Sequence, residues 1–270
     1  MNNQLINKKL IEKQMELLNH IYDFCIENNL RISLGYGTLL GAVRHKGYIP
    51  WDKDIDVIMP LKDYKKLLKI YDNSNSKFYL QTYQNDKHDP LTFARLKNSN
   101  TTFIIPECRN SKQNLGIWID IFPYSPSSNY KLLRFFQYKL LSLRYHIAIK
   151  RLHCNSIFDK IIKLFFTHTF VINLLDSLIP ILGLGSNYVA DFSVNVITAK
   201  VRIPDPFRDF IPLVFENNNY QCIKNYDNYL KANYGNYMQI PSKEAIEAEE
   251  SLKNDSIIDF EKSYKYYQNN

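Results

Sequence analysis

Three features of this 270-residue chain predict an α+β fold, a mixed β-sheet flanked by helices with an additional helical layer. In the first half, short β-branched and aromatic runs alternate with stretches of helical periodicity. Residues 130–184 are long, basic, aromatic-rich helical sequence with no turn cluster before Pro180 and Gly183. With 45 % apolar residues the chain buries a real core, which excludes disorder along its whole length.

Leu5, Leu10, Ile11, Leu17, Leu18, Ile21, Phe24 and Cys25 recur near helical spacing and predict an amphipathic helix ending near Asn28 and Asn29. Residues 31–36 read as a short strand closed by Gly35, Tyr36, Gly37 and Thr38, ahead of a helical turn through Leu39, Leu40, Ala42 and Val43. Gly47, Pro50 and Trp51 break that helix. Residues 54–59 then read as a strand stopping at Pro60, and residues 61–71 as a helix. Further strands are expected at 78–84, 91–97, 102–105 and 117–122. After the helical centre, Pro204, Pro206 and Pro212 mark an irregular connection, and 223–234 reads as a helix stopped by Gly235. The segment 243–270 is charged and reads as helical or frayed.

A formal charge of +7 suits acidic partners such as nucleotides, phosphorylated glycans or anionic lipid headgroups. Cys25, Cys108, Cys154 and Cys222 form no CxxC pair, which points away from a zinc site or disulfide framework and toward a reducing compartment. Lys8, Lys9, Glu12, Lys13 and Glu16 interrupt the N-terminal apolar residues, so no signal peptide is expected. Residues 170–185 are broken by Asn173, Asp176 and Pro180 and fall short of the ~20 apolar residues of a membrane span. A cytoplasmic location is expected. Neither HExxH nor GxSxG occurs, so zinc-hydrolase and serine-nucleophile chemistry have no support.

The chemistry points to the DKDID run. On a strand Asp54 and Asp56 share one face while Ile55 and Val57 share the other. Paired carboxylates repel and raise each other's pKa unless a cation neutralises them, and Mg²⁺ or Mn²⁺ suits such oxygen ligands. Taken alone, the same run also describes a solvated loop of charges.

Its context is more specific. The stretch GTLLGAVRHKGYIPWDKDIDV resembles the signature of the LicD family, phosphocholine and phospho-alcohol transferases of the nucleotidyltransferase-fold superfamily. That family's pattern reads PWDDDID; Lys53 replaces its middle Asp and, by strand alternation, points away from the face of Asp52, Asp54 and Asp56. The run WIDIFP at 118–123 resembles the family's Asp-Ile-Phe-Pro element and makes Asp120 the expected third carboxylate. An N-cap or a buried, hydrogen-bonded Asp is the alternative reading of Asp120. Fainter similarity lies at Phe93-Ala94-Arg95-Leu96-Lys97 with Thr101, at Tyr229-Leu230-Lys231, and at Tyr234 to Met238 with Pro241.

The resemblance implies a nucleotidyltransferase-like core over 31–130, an N-terminal helix packed on it over 1–30, a basic helical segment over 131–200 and a completing part over 201–270. It implies transfer of phosphocholine, or a related phospho-alcohol, from a CDP-alcohol donor such as CDP-choline. The acceptor would be a hydroxyl of a glycan or lipid-linked glycan, as in lipopolysaccharide, teichoic acid or capsule. Mg²⁺ or Mn²⁺ on Asp54, Asp56 and Asp120 would serve that reaction. Gly37 and Thr38 would offer backbone N–H groups to a phosphate, Arg44, Lys46, Arg95 and Lys97 would hold a diphosphate, and Trp51 would stack on a base or sugar or else simply pack. Two other functions remain open: nucleotide transfer onto a small molecule, and a silent module docking on membrane or RNA, although no nucleic-acid partner is expected. The basic and aromatic residues of 130–170 suggest a peripheral protein of the inner membrane face, or else an amphipathic helix burying its Phe and Leu face.

Overall fold

Alternating apolar residues turn one sheet face inward, and the strongest alternation sits at the sheet's centre. In β6 (Ile117–Pro126) Ile117, Ile119 and Ile121 are 0 % exposed while Trp118 and Asp120 between them are half-buried. The computed structural model describes residues 3–52, 54–74, 77–86, 88–150, 168–251 and 256–268. The expected outward turn of Lys53 falls outside them.

Among the described residues the main sheet has seven strands. The order is β1 (Ser33–Leu34), β2 (Asp56–Pro60), β6, β4 (Ala94–Asn98), β3 (Phe78–Gln81), with β7 (Tyr188–Asp191) on β6 and β8 (Ile203–Pro204) on β7. β2 and β6 run parallel and the other pairs antiparallel, so the sheet is mixed as expected. α1 (Asn3–Glu27) lies against β6 and β4, with Leu17, Leu18, Ile21 and Cys25 fully buried. Burial pushes the Cys25 thiol up to about 12, so it acts as a core residue.

Several boundaries differ from the sequence reading. α2 (Tyr36–Arg44) begins one residue before Gly37, so Gly37 and Thr38 stand in its first turn. β2 starts at Asp56, although Ile55 already accepts a ladder bond from Asp120 N at 2.9 Å. α3 (Leu61–Ile70) and β5 (Thr102–Ile104) stand where expected, and β6 runs on to Pro126. The supposed irregular connection after the helices instead contains β9 (Phe210–Phe215) and β10 (Asn218–Ile223), a hairpin whose turn residues Glu216 and Asn217 have φ of 47° and 64°. Pro212 is tolerated because the hairpin has only two strands and each strand is an edge. Asn187, Asn195 and the prolines likewise hid β7, β8 and the short α6 (Val196–Lys200), which Asn195 caps. α7 (Tyr226–Tyr234) ends at Gly235, φ 64°, as the glycine predicts. Beyond it, α8 (Lys243–Ser251) precedes β11 (Ile257–Asp259), which pairs with β5, and α9 (Tyr264–Gln268).

The helical layer is α4 (Lys131–Lys150) packed on α5 (His168–Ile181), which carries Pro180 inside its last turn. The buried Gln137 amide donates to the carbonyls of Pro126 and Ile179 and ties α4, β6 and α5 together. Two residues expected at a basic surface are turned inward. Arg144 is 4 % exposed, paired with Asp176 and donating to the Phe192 carbonyl, and Tyr138 stacks on Phe192. By contrast Phe135, Phe136 and Tyr145 are 51 %, 48 % and 41 % exposed, so these aromatics do not fill a core against the sheet. Arg151, Lys160, Lys163, Phe158, Phe165 and Phe166 lie outside the described residues. Among the described residues no helix is long and apolar enough to cross a membrane.

A buried guanidinium that loses its carboxylate is left with an uncompensated charge. Asp176→Ala is therefore expected to destabilise the protein by about 2–4 kcal/mol in urea unfolding, less than for a wholly buried pair because the Asp176 side chain is 23 % exposed. Asp176→Ala combined with Arg144→Leu is expected to recover most of that loss. No recovery in the double variant would show that the pair itself, rather than the orphaned charge, stabilises the layer.

Candidate active site

Directly paired residues on neighbouring strands project on the same sheet face. The register places Asp56 of β2 opposite Asp120 of β6, Asp120 opposite Arg95 of β4, and Arg95 opposite Gln81 of β3. Arg95 Nε donates to Asp120 Oδ1 at 2.6 Å, with side chains 18 % and 13 % exposed. Asp120 stands mid-strand and caps no helix. Burial, opposed by Arg95 and reinforced by the Asp54 charge, holds the Asp120 carboxyl above the usual carboxylate range. Two residues along β4, Lys97 shares this face, and the Trp118 ring lies 4.9 Å from the Arg95 guanidinium carbon and 5.9 Å from Lys97 Nζ. Lys97 is 1 % exposed and donates to the Asn114 carbonyl, so it sits beneath the row of charges.

The turn before α2 meets the row at its β2 end. Thr38 Oγ1 accepts from Asp56 N at 2.8 Å, which uses the hydroxyl to fix the start of β2. A Cβ on Gly37 would stand 2.3 Å from Asp52 Oδ2, so only glycine lets that carboxylate approach the helix start. Asp54 N in turn lies 3.4 Å from Asp52 Oδ1. Beside them a cleft of ≈ 280 Å³ is lined by Gly37, Arg44, Trp51, Asp52, Tyr237 and Gln239, among others. Arg44 donates to the Tyr237 carbonyl at 2.8 Å and lies 5.9 Å from the Trp51 ring centre, pinning residues 236–239 across α2. A cleft of ≈ 250 Å³ between α3 and α5 contains none of the candidate residues and lies apart from the carboxylates. Lys46 is exposed, bonds back to the Val43 carbonyl and does not line the cleft.

A tyrosine network supports this turn and was not foreseen from sequence. Tyr36 adopts a left-handed backbone, φ 39°, that costs a non-glycine residue on the order of 1–2 kcal/mol. Tyr229 Oη accepts from Tyr36 N at 3.1 Å, and Tyr36 Oη donates to Asp191 at 2.6 Å, with Tyr124 Oη 3.2 Å away. Asp191 is 1 % exposed, and burial pushes its carboxyl up against the lowering effect of Ser193 and Tyr36. Tyr229 lay in a motif already noted, whereas nothing local marks Asp191.

The donor set at the row is all oxygen, which matches a hard divalent cation. The Asp54 charge that holds Asp120 up is the kind of repulsion a cation would relieve. The ligands are not gathered as they stand, since no group of three His, Cys, Asp or Glu among the described residues is placed to hold a metal ion. Asp120 is engaged by Arg95 and would have to share its carboxylate.

Residues 29–146 match the family model described as LicD/FKTN/FKRP, nucleotidyltransferase domain. The chain is 26 % identical to the lipopolysaccharide cholinephosphotransferase LicD of Haemophilus influenzae, over 88 % of this chain and 95 % of that protein. It is 33 % identical over 69 residues to an uncharacterized protein of Rickettsia prowazekii, covering 26 % of each.

Burial pushes the Lys97 ammonium from an ordinary 10.5 down to about 7, with Arg95 adding to the shift. Between those values the unfolded chain binds a proton that the folded chain does not, so this residue's contribution to stability improves as pH rises from about 7 toward 10.5. Relative to Lys97→Met, the wild-type protein is expected to gain on the order of 2–3 kcal/mol between about pH 6 and pH 9 in urea titrations. A gap that does not change with pH would mean the ammonium keeps its proton inside the fold.

Proposed function

We propose, from the premise that residues 29–146 are a LicD-family domain, that this protein is a phosphotransferase moving phosphocholine from CDP-choline to a hydroxyl of a cell-surface glycan or its lipid-linked precursor, at the inner face of the membrane. The observation that carries this reading is the register that sets Asp56 beside Asp120 and within one row of Arg95. The match to a lipopolysaccharide cholinephosphotransferase over nearly the whole of both chains supports the choice of group and acceptor.

Asp54, Asp56 and Asp120 would hold Mg²⁺ or Mn²⁺, which when bound supplies charge neutralisation to the diphosphate. The N-terminal turn of α2, with Gly37 and Thr38, presents backbone N–H groups to a donor phosphate. The cleft of Arg44 and Trp51 receives the cytidine. The acceptor oxygen attacks the phosphorus bearing choline, the bond from that phosphorus to the bridging oxygen breaks, and CMP leaves with the bridging oxygen. Asp120, which the register sets beside Asp56, takes the hydroxyl proton. Arg95 steadies Asp120 and offers positive charge to the phosphoryl oxygens.

Asp54→Asn and Asp56→Asn are each expected to lower transfer by about 10²–10³-fold or more with an unchanged melting temperature. Near-normal turnover of either at saturating Mg²⁺ would remove these residues from the reaction. With CDP-choline labelled in both halves, the choline label is expected on the acceptor and the cytidine label in free CMP. A cytidine label on the acceptor would instead identify a nucleotidyl transfer.

A further inference from the structure

The helical layer carries charge and apolar surface that the candidate site does not use. Residues 130–188 hold eight Lys or Arg against two Asp, a net of +6 in a chain of +7. Arg144 and Asp176 cancel each other inside the layer. Between 126 and 150, and again between 177 and 190, there is no acidic residue.

The apolar surface concentrates where α4 begins and α5 ends. Tyr130 and Leu184 are each 72 % exposed, Leu132 67 % and Ile181 55 %. These four belong to one corner because the turn at 126–129 binds both helices. Arg134 Nη1 donates to the carbonyls of Ser128 and Asn129, Ser186 Oγ donates to the carbonyl of Ser127, and a Cβ on Gly183 would touch the Pro126 carbonyl. Arg202 joins them, donating to the Ser127 and Ser128 carbonyls with its guanidinium carbon 4.6 Å from the Tyr188 ring centre. Lys131 and Lys139 are exposed on α4 beside this corner.

We infer that this corner docks on an anionic phospholipid bilayer, with Tyr130, Leu132, Ile181 and Leu184 entering the interface and Lys131, Arg134, Lys139 and Arg202 facing lipid phosphates. Isolated exposed leucines are ordinary, but a cluster of four ringed by cations, on helix ends whose own sequence carries no acidic residue, matches a negatively charged interface with an apolar interior. A second copy of the chain fits less well, since two such corners would bring like charges together.

The docking corner also bears on the acceptor, an argument that rests on the transferase reading above. β6 connects the two regions, with Asp120 in its first half and Pro126 at the corner. Six residues of strand span about 20 Å at ~3.3 Å each. A lipid headgroup does not bridge that distance, whereas the glycan of a lipid-linked oligosaccharide does. The acceptor hydroxyl is accordingly several sugars away from its lipid anchor.

Co-sedimentation of the full chain with phosphatidylcholine vesicles, with and without phosphatidylglycerol, tests the docking. Binding is expected only with phosphatidylglycerol and should weaken as NaCl is raised. Lys131→Glu with Lys139→Glu is expected to lower partitioning at least about tenfold, and Leu132→Ser with Leu184→Ser by about tenfold through the salt-resistant part. All four side chains are exposed, and far-UV circular dichroism verifies that the variants fold. Equal partitioning on both vesicle types, no binding to either, binding that neither pair of substitutions weakens, or a concentration-dependent dimer lost in Leu132→Ser with Leu184→Ser would each overturn the proposal. Asp54→Asn is expected to bind vesicles like the wild type. Vesicle binding without transfer defeats the transferase reading alone, and transfer without vesicle binding defeats the docking alone.

Discussion

The parallel pairing of β2 with β6 is the constraint on which the rest of this molecule depends. One register step sets Asp56 beside Asp120, and because successive strand residues alternate faces, a slip of one residue would put Ile55 or Val57 there instead. Burial makes that slip costly, since Ile55, Val57, Ile119 and Ile121 are at most 1 % exposed. The same apolar packing that stabilises the sheet therefore aligns its carboxylates. Thr38 adds a local lock by accepting from Asp56 N, which couples the α2 turn to the strand end.

Charge at the row is balanced mainly by neighbours on the next strand. Arg95 reaches Asp120 because β4 pairs with β6 in register, and Trp118 roofs both Arg95 and Lys97. The arrangement concentrates a carboxyl pushed up and an ammonium pushed down by burial within two residues of one another along the sheet. Such opposed shifts are characteristic of sites that move protons or bind ions. The strained backbone of Tyr36 belongs to the same design, because Tyr229, Tyr124 and Asp191 hold the one turn from which Gly37 approaches Asp52.

The α4–α5 layer solves a different problem. Among the described residues Arg144 pairs with Asp176 through Nη1, leaving its buried Nε without a hydrogen bond, and Gln137 donates to two carbonyls, so specific polar contacts fix the packing. Its outer surface is left apolar and basic. A layer that existed only to cover the sheet would bury Phe135, Phe136, Leu132 and Leu184, and it does not. On the proposed reading β6 separates two tasks, chemistry at Asp120 and attachment beyond Pro126.

By itself the sequence determined the α+β class, a strand stopping at Pro60 that in the fold begins only at Asp56, the helix over α1, the stop at Gly235 and the family resemblance over the GTLLG to DKDID stretch. All of these depend on neighbours a few residues apart, where side-chain period and turn chemistry act directly. Tertiary structure decided that Asp120 stands against Asp56 and Arg95, that Arg44 pins Tyr237, and that Asp191 braces Tyr36. It also decided that Arg144 turns inward and that a hairpin replaces a proline-marked connection. Each of these joins residues far apart in the chain, and their partners are selected by which apolar surfaces can be buried together, a property of the whole fold that no local spacing carries.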